Sequence, residues 1–292
     1  MNEWKKWPIK IIEKKDFPKI LKKISNCPEK LYYRGEWNDD LFKKSLAIVG
    51  SRKMSRYGRE TIRQFMPDLV ANEVTIVSGF MYGVDSEAHR NCLEMGGKTV
   101  AVLGSGLNRL YPPENDSLYT KILENKGLVI SEYEPEFGAA LWSFPQRNRI
   151  VSALSSLGVF VVEAGLKSGS LITAKLALKQ HKKLFALPGQ IDSKTSEGTN
   201  WLIQNSGAKL VTGASEILGN YNHCPNQENL FKDYSDLSEL EREIVDILDN
   251  EAITVDELCL RVKYPVSEIS TTISMMLLRD LIVQENDKIY LS

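Results

Sequence analysis

The sequence lacks the features that mark several large classes of protein. No apolar run approaches the ~20 residues needed to span a bilayer, and the N-terminus, MNEWKKWPIKIIEKKDFPK, has neither the apolar core nor the cleavage site of a signal peptide. The G-x-x-x-x-G-K-[ST] signature of ATP-driven motors is missing, as is the G-x-S-x-G turn of serine hydrolases. We therefore expect a cytoplasmic protein with no membrane segment, no cofactor and no catalytic constellation.

Cysteine and histidine are also scarce. The four cysteines, Cys27, Cys92, Cys224 and Cys259, are far apart and form no C-x-x-C pair. This spacing argues against a disulfide framework or a zinc site and predicts reduced thiols. With three histidines in the whole chain, a serine–histidine pair has few candidates.

The net charge of −1 conceals an uneven distribution. Residues 235–292 hold 13 acidic and 5 basic side chains, a net charge of −8, so that residues 1–234 carry +7. A basic body is compatible with nucleic acid, although this charge alone is a weak signal.

From residue 46 onward, short apolar runs recur at a spacing that leaves room for helices between them. The runs are 46–50, 74–78, 99–103, 128–131, 159–163, 184–187 and a weaker 209–211, with helical patterns such as 58–71, 86–95 and 171–180. This alternation predicts an α/β fold with a parallel sheet covered by helices on both faces. Ligands of such sheets bind outside the carboxyl ends of the strands.

Small residues follow six of the predicted strands, which indicates a groove lined with backbone N–H groups. Gly50, Ser51 and Arg52 follow the first strand, and Arg52 is expected to grip phosphate. Ser78 and Gly79 follow the second strand. Asp85 and His89, further along, are spaced as an acid–base or metal pair, but hydrogen bonds between turn and helix are the favoured interpretation.

The segment 144–149, FPQRNR, lies between two predicted strands. Phe144 is a candidate for base stacking, with core packing as the alternative. Arg147, Asn148 and Arg149 are candidate DNA contacts, and the alternative for the arginines is an ion pair with Glu132 or Glu163.

The turn after the strand at 159–163 leads into a helix. Lys167, Ser168, Gly169 and Ser170 stand at this point. Backbone N–H groups and the positive end of the helix dipole make it a predicted anion site.

The C-terminal region predicts a small separate module. Helices are expected at 238–249, from Thr254 to residue 262, and from Pro265 to about residue 279, followed by a hairpin around Asn286-Asp287. Three helices and a hairpin indicate a winged helix. Because its charge is −8 and its third helix has one cation, Arg279, we expect it not to bind DNA alone.

These blocks together resemble the DprA (Smf) family of DNA-processing proteins. The blocks GSR, SGxxxGVDxxAH, GSGLxxxYPPEN, FPQRNRIVSALS, SGSLITA and SEGTNWLI occur in the family's order. The resemblance implies an extended Rossmann-like domain at 46–220, after a short N-terminal arm at 1–45 instead of a full SAM-like domain. A linker at 221–236 and a winged-helix domain at 237–292 would follow.

The resemblance also implies a function without enzymatic activity. Family members bind and protect incoming single-stranded DNA, form homodimers and load RecA recombinase during natural transformation. By matching positions, the DNA contacts would be Gly50, Ser51, Arg52, Ser78, Gly79, Phe144, Arg147, Asn148, Arg149, Ser168, Gly169 and Ser170. Lys167, beside the last of these blocks, is a further candidate contact.

The chain departs from the family pattern at two positions. Pro113 and Leu141 stand where many members carry basic residues, and Arg109, Lys167 and Lys175 are possible substitutes. Two other functions are alternatives. A phosphoribohydrolase-type enzyme is disfavoured because SGSLITA lacks that group's glutamate, and a winged-helix transcription regulator is disfavoured by the −8 charge.

Overall fold

The computed structural model describes residues 3–219, 237–248, 253–279, 281–285 and 287–291. The chain divides into two compact units, Met1–Asn222 and His223–Ser292. The predicted linker at 221–236, with Cys224, lies outside the described residues. No helix within the described residues combines the length and the apolar composition needed to cross a bilayer.

The first unit is built on a single large sheet. Within residues 3–219 its strands are β1 (Lys10–Glu13), β2 (Lys30–Gly35), β3 (Ser45–Val49), β4 (Thr75–Ser78), β5 (Thr99–Leu103), β6 (Leu128–Ser131), β7 (Gly158–Val161), β8 (Leu184–Ala186) and β9 (Lys209–Leu210). Their spatial order is β1-β2-β6-β5-β4-β3-β7-β8-β9. Strands β3 to β9 run parallel, as the apolar runs predicted.

Helices cover both faces of this sheet, which confirms the predicted fold class. The main helices are α2 (Arg56–Ala71), α3 (Val84–Glu94), α4 (Asp116–Glu124), α5 (Ser143–Ala153), α6 (Ser170–Lys179), α7 (Glu197–Asn205) and α8 (Ala214–Leu218). Successive residues of β3 belong to different cores: Ala47 packs in one, while Leu46 and Ile48 pack in the other. A strand buried on both faces is apolar throughout, which explains its continuous run.

The N-terminal segment, expected as a short arm at 1–45, is part of the sheet. It contributes two strands to the sheet, β1 pairing antiparallel with β2 and β2 antiparallel with β6. The short helix α1 (Lys19–Lys22) lies between them. Arg34 on β2 is buried and donates to the Leu107 carbonyl at 2.9 Å and to Asn108 Oδ1 at 2.8 Å. These long-range bonds, which local periodicity does not record, attach the segment to the sheet.

The order of the strands reverses between β3 and β7. From β3 the chain proceeds outward through β4, β5 and β6, and then returns to add β7, β8 and β9 on the other side. The connections after β3 and β7 therefore diverge in opposite directions. A crevice opens at such a switch point, outside the carboxyl ends of the two strands.

The second unit is a winged helix, as predicted. It contains α9 (Glu239–Leu248), α10 (Val255–Arg261) and α11 (Val266–Leu278), with β10 (Ile253–Thr254), β11 (Ile282–Glu285) and β12 (Lys288–Leu291) in the order β10-β12-β11. Thr254 caps α10, accepting from the Glu257 N–H at 3.2 Å. The hairpin strands were predicted, whereas β10 was not, and Asn286 lies outside the described residues.

Candidate nucleic-acid interface

A cavity of about 630 Å³ opens at the switch point between β3 and β7. Most of the predicted site residues line it, namely Gly50, Ser51, Arg52, Gly79, Phe144, Arg147, Asn148, Lys167, Ser168, Gly169 and Ser170. The topology brings these residues together from positions more than a hundred apart in the chain. Ser78 and Arg149 are predicted residues that do not line it.

Ser78 is a structural residue. It is fully buried at the end of β4, and its hydroxyl donates to the Ile48 carbonyl at 2.6 Å. The bond joins β4 to β3, so the Ser78 hydroxyl is not available to DNA.

Arg149 is also occupied by the protein itself. It is 6% exposed. Its guanidinium donates to Glu132 Oε2 at 2.9 Å and Oε1 at 2.5 Å, and to the Asn26 carbonyl at 2.7 Å. The alternative of an ion pair with Glu132 is therefore the one observed. The expectation that Arg149 contacts DNA is corrected, because its donors are used inside the fold.

Arg147 forms the floor of the cavity rather than a free cation. It lies on α5, is 2% exposed and donates to the carbonyls of Gly79 and Val102. Burial lowers the pKa of Arg147 to about 10, so it remains charged at neutral pH. Burial also raises the pKa of the Asp85 carboxyl, and the nearby Arg147 opposes that rise. The predicted phosphate contact of Arg147 is thus replaced by a supporting role.

Gly79 packs directly against the buried side chains of Asp85 and Arg147, which leave no room for a Cβ atom. A Cβ at Gly79 would lie 2.6 Å from Asp85 Oδ2 and 2.7 Å from Arg147 Nη2. A larger residue would push the turn away from its support. Asn148, beside Arg147, accepts from the Arg147 Nε at 3.2 Å and is half-buried.

Phe144 lies at the surface of the cavity, where the sequence left stacking and core packing open. The ring is half-buried and rests on Gly104, where a Cβ would lie 2.7 Å from Phe144 Cδ1. The exposed guanidinium of Arg52 lies 5.6 Å from the ring centroid of Phe144. A cation and an aromatic ring therefore stand side by side at the cavity mouth.

The turn after β7 opens the N-terminus of α6 toward the cavity. Ser168 Oγ and Ser170 Oγ lie 2.7 Å apart, and the Ser170 N–H donates to Ser168 Oγ at 3.3 Å. Gly169 faces open space, since a Cβ there would meet no atom within 4 Å. The Leu171 and Ile172 N–H groups donate to the carbonyls of Ser168 and Gly169, both at 3.1 Å. An anion at this turn would therefore be held by the positive end of the helix dipole and by the two serine hydroxyls.

The neighbouring helix α2 shows why its N-terminus is not a second anion site. Glu163, two residues after β7, is 1% exposed and accepts from the Ser55 N–H at 2.9 Å and from the Ser55 hydroxyl. Ser55 in turn caps α2 through the Gly58 N–H. A carboxylate of the protein thus already occupies this helix end.

Four exposed cations surround the cavity: Arg52, Lys53, Lys167 and Lys194. None of them forms an ion pair within residues 3–219. Sequence reasoning missed Lys53 and Lys194. Lys53 directly follows the GSR block, and Lys194 stands just before SEGTNWLI, so proximity to the two blocks was the available signal.

The three proposed substitutes for the missing basic residues lie in different places in the structure. Lys167 lines the cavity. Arg109 is paired with Glu136 at 3.1 Å, and Lys175 lines a separate cavity together with Leu178 and Trp201. Only Lys167 of the three therefore reaches the site.

The expected row of open turns is only partly observed. The Gly106 N–H donates to the Phe137 carbonyl at 2.8 Å, and the Gly189 N–H donates to Asn200 Oδ1 at 3.2 Å. These turns satisfy their own donors. The predicted turn residues that line the cavity are those after β3, β4 and β7.

Asp85 holds the turn and the helix together, as the favoured interpretation predicted, whereas His89 joins α3 to β5. Asp85 Oδ2 accepts from the Met81 N–H at 3.3 Å, and His89 Nδ1 lies 2.6 Å from Thr99 Oγ1. Burial lowers the pKa of His89 to about 3. Among the residues that the structure describes, no group of His, Cys, Asp and Glu side chains is placed to hold a metal ion.

Family models match both units of the chain. The model of DNA recombination-mediator protein A matches residues 9–222, and that of the DprA winged helix domain matches residues 232–288. The chain belongs to the DNA recombination-mediator protein A (DprA) family. The resemblance inferred from the sequence motifs is thereby confirmed.

Relatives in this family are similar over most of the chain. Protein Smf of Escherichia coli (strain K12) is 39% identical over 262 residues, covering 87% of this chain and 69% of the relative. The X-ray structure of DprA from Streptococcus pneumoniae has a TM-score of 0.67 at 41% identity, covering 74% of this chain and 75% of that one. DprA from Helicobacter pylori has a TM-score of 0.65 at 32% identity, covering 73% and 95%, and its structure concerns a single-stranded DNA binding mode.

Proposed function

We propose that this protein is a non-catalytic single-stranded DNA-binding protein that protects incoming strands and loads RecA recombinase onto them. The observation that carries the proposal is the cavity at the switch point. It combines four exposed cations, an open helix N-terminus and a surface aromatic ring in one place. Support also comes from the family and from the single-stranded DNA binding of the Helicobacter pylori relative.

Each part of the cavity suits a different part of a nucleotide strand. Phosphates would bind at the N-terminus of α6, around Ser168–Ser170, and at the neighbouring lysines. Gly50 and Ser51 shape the turn that presents Arg52; the Ser51 hydroxyl accepts from the Lys53 N–H at 3.1 Å. Phe144 would stack on a base, which requires a base face that a duplex hides. The arrangement therefore favours single strands.

The proposal is tested by comparing single- and double-stranded DNA of equal length while salt is varied. Tighter binding of the single strand is expected, with an affinity that falls as salt rises because bound cations release counterions from the phosphates. Equal affinity for the two forms would contradict the proposed role of Phe144.

RecA loading and homodimer formation follow from the family resemblance and need their own measurements. We expect the protein to shorten the lag of RecA filament formation on single-stranded DNA that is already coated by a single-strand binding protein. Sedimentation of the full chain should show a dimer. An unaltered lag would remove RecA loading from the proposal while leaving DNA binding intact.

The enzyme alternative is tested separately. Among the described residues that line the cavity, Asp85 is the single carboxylate, and it is buried beneath the Gly79 turn. Glu163 is engaged by Ser55. We expect no release of adenine from AMP, and release in proportion to protein concentration would overturn the non-catalytic proposal.

A further inference from the structure

The exposed side chains at the carboxyl edge of the sheet change from basic to apolar beyond Phe144. On the side of β7 it carries exposed cations, whereas above β5 and β6 it carries exposed apolar side chains. Tyr111 is 39% exposed, Trp142 56% and Leu141 91%. Exposed aromatic and apolar side chains grouped next to a binding cavity mark an interaction surface.

These rings continue the surface that Phe144 begins. The Tyr111 ring lies 5.5 Å from the Phe144 ring, and Trp142 stands two residues before Phe144 at the start of α5. Trp142 is held by the rings of Tyr133 and Phe137, at 5.8 and 5.7 Å, and these two rings stack on each other at 4.6 Å. The indole is thus supported from beneath while more than half of it remains open.

The local charges disfavour phosphate at this end of the edge. Arg109 pairs with Glu136 at 3.1 Å, and Lys30 pairs with Glu134 at 3.0 Å. Glu114 accepts a hydrogen bond from the Tyr82 hydroxyl at 2.6 Å. Arg109 and Lys30 are therefore already paired with carboxylates, and Glu114 adds a further negative charge near the rings. The phosphates of a DNA strand passing here would contribute little binding energy.

We infer that Tyr111 and Trp142 bind unpaired bases of the same DNA strand whose phosphates bind near β7. The strand would be held through its charge at one end of the site and through its bases at the other. Aromatic rings stack on any base, so this extension adds affinity without sequence preference. The inference rests on the proposed single-stranded DNA binding and adds the position and the chemistry of a second contact.

The test compares oligo-dT with an abasic strand of equal length, using the full chain and fluorescence anisotropy. Trp142→Ala is expected to weaken oligo-dT binding about tenfold, as the loss of one stacked base implies. Its salt dependence and its affinity for the abasic strand should not change. Trp142→Phe should retain most of the affinity, and Tyr111→Leu against Tyr111→Phe should repeat the pattern.

Two further measurements separate base contact from other effects. Oligo-dT should quench tryptophan fluorescence in the wild type and quench it less in Trp142→Phe. Leu141 is 91% exposed. Leu141→Lys adds a cation beside the strand, so the slope of log affinity against log salt should steepen by the value of about one phosphate contact.

Several outcomes would overturn the inference. These are unchanged oligo-dT binding in Trp142→Ala and Tyr111→Leu, equal weakening on the abasic strand, or a change in self-association in place of DNA binding, which would assign the surface to a protein. If the wild type itself does not bind oligo-dT, the proposed function fails instead. A thermal unfolding curve for each variant identifies any loss of fold.

Discussion

Arg52 and Phe144 illustrate how one pair of side chains can serve two parts of a ligand. The guanidinium lies 5.6 Å from the ring centroid of Phe144, so a phosphate and its neighbouring base would reach the two groups together. Arg52 is exposed and has no carboxylate partner within residues 3–219. The attraction between this cation and a phosphate does not depend on which base the nucleotide carries.

Replacing Arg52 by Ala should therefore weaken single-stranded DNA binding to the same degree for all sequences. The slope of log affinity against log salt should fall by about 0.7, the value of one lost contact on a single strand. Lys121→Ala is the matched control, because Lys121 is an exposed cation on α4 that does not line the cavity. Equal binding by the two variants would remove Arg52 from the site.

Arg149 is predicted to matter for stability instead of binding. Its side chain is 7% exposed and that of Glu132 is 19% exposed. Because Arg149→Met leaves Glu132 without its partner, the free energy of unfolding should fall by about 3 kcal/mol. Urea unfolding measures this loss, and DNA affinity at a temperature where the variant is folded should be retained. A stable variant that no longer binds DNA would reverse this assignment.

The helices α2 and α6 show how similar elements acquire different roles at one switch point. Both begin at the carboxyl edge of the sheet after a parallel strand. The N-terminus of α2 receives Glu163 from the protein, while that of α6 opens onto the cavity at Gly169. Because Glu163 already occupies the end of α2, the proposed phosphate contact is expected at α6.

The packing of α3 on β5 should make the first unit sensitive to acid. His89 is fully buried against Thr99, and burial lowers its pKa to about 3 from 6.5. Between these values the unfolded chain binds a proton that the folded chain excludes. Stability is therefore fully present above about pH 6.5 and declines as the pH falls, by up to about 1.4 kcal/mol per pH unit.

The measurement is urea unfolding at pH 7 and pH 5 for the wild type and for His89→Asn. The wild type should lose about 2 kcal/mol more than the variant over this interval. Carboxylates, including Asp85, titrate in both proteins and cancel in the difference. Equal losses would show that His89 accepts a proton in the folded state.

The two units of the molecule carry opposite net charges, and the second unit is the acidic one. On the exposed side of α11 stand Ser267, Thr271 and Leu278, the last of which is 81% exposed. Arg279, at the end of the helix, pairs with Glu241 at 2.8 Å. A helix that reads DNA presents cations and amides to the groove, and this helix presents hydroxyl and apolar groups.

An isolated fragment of residues 235–292 should therefore fail to shift duplex DNA in a gel, even at low salt where non-specific binding is strongest. Its core of Leu240, Ile244, Leu258 and Ile273 is contained within the fragment, so that a circular dichroism spectrum can verify folding. A clear shift by the folded fragment would revive the transcription-regulator hypothesis.

Much of the fold was predictable because its signals are local. The strands β3 to β8 are buried on both faces, so each appears as a continuous apolar run. The strands β1 and β2 were missed, although only β1 lies at the edge of the sheet and β2 lies between β1 and β6. β1 is largely exposed, and the two strands depend on antiparallel pairing instead of an apolar run of their own.

The sequence by itself determined the parallel sheet, the winged helix and the small-residue turns, since apolar periodicity and turn chemistry are properties of neighbouring residues. The tertiary structure decided which side chains are free. Arg52, Arg147 and Arg149 are all arginines in motifs that predict DNA contacts, so the sequence does not distinguish them. In the structure, Arg147 binds the carbonyl of Gly79, 68 positions away, and Arg149 binds Glu132, 17 positions away. A cation is available to DNA only if the fold leaves it without such a partner. That depends on long-range contacts, which periodicity does not encode.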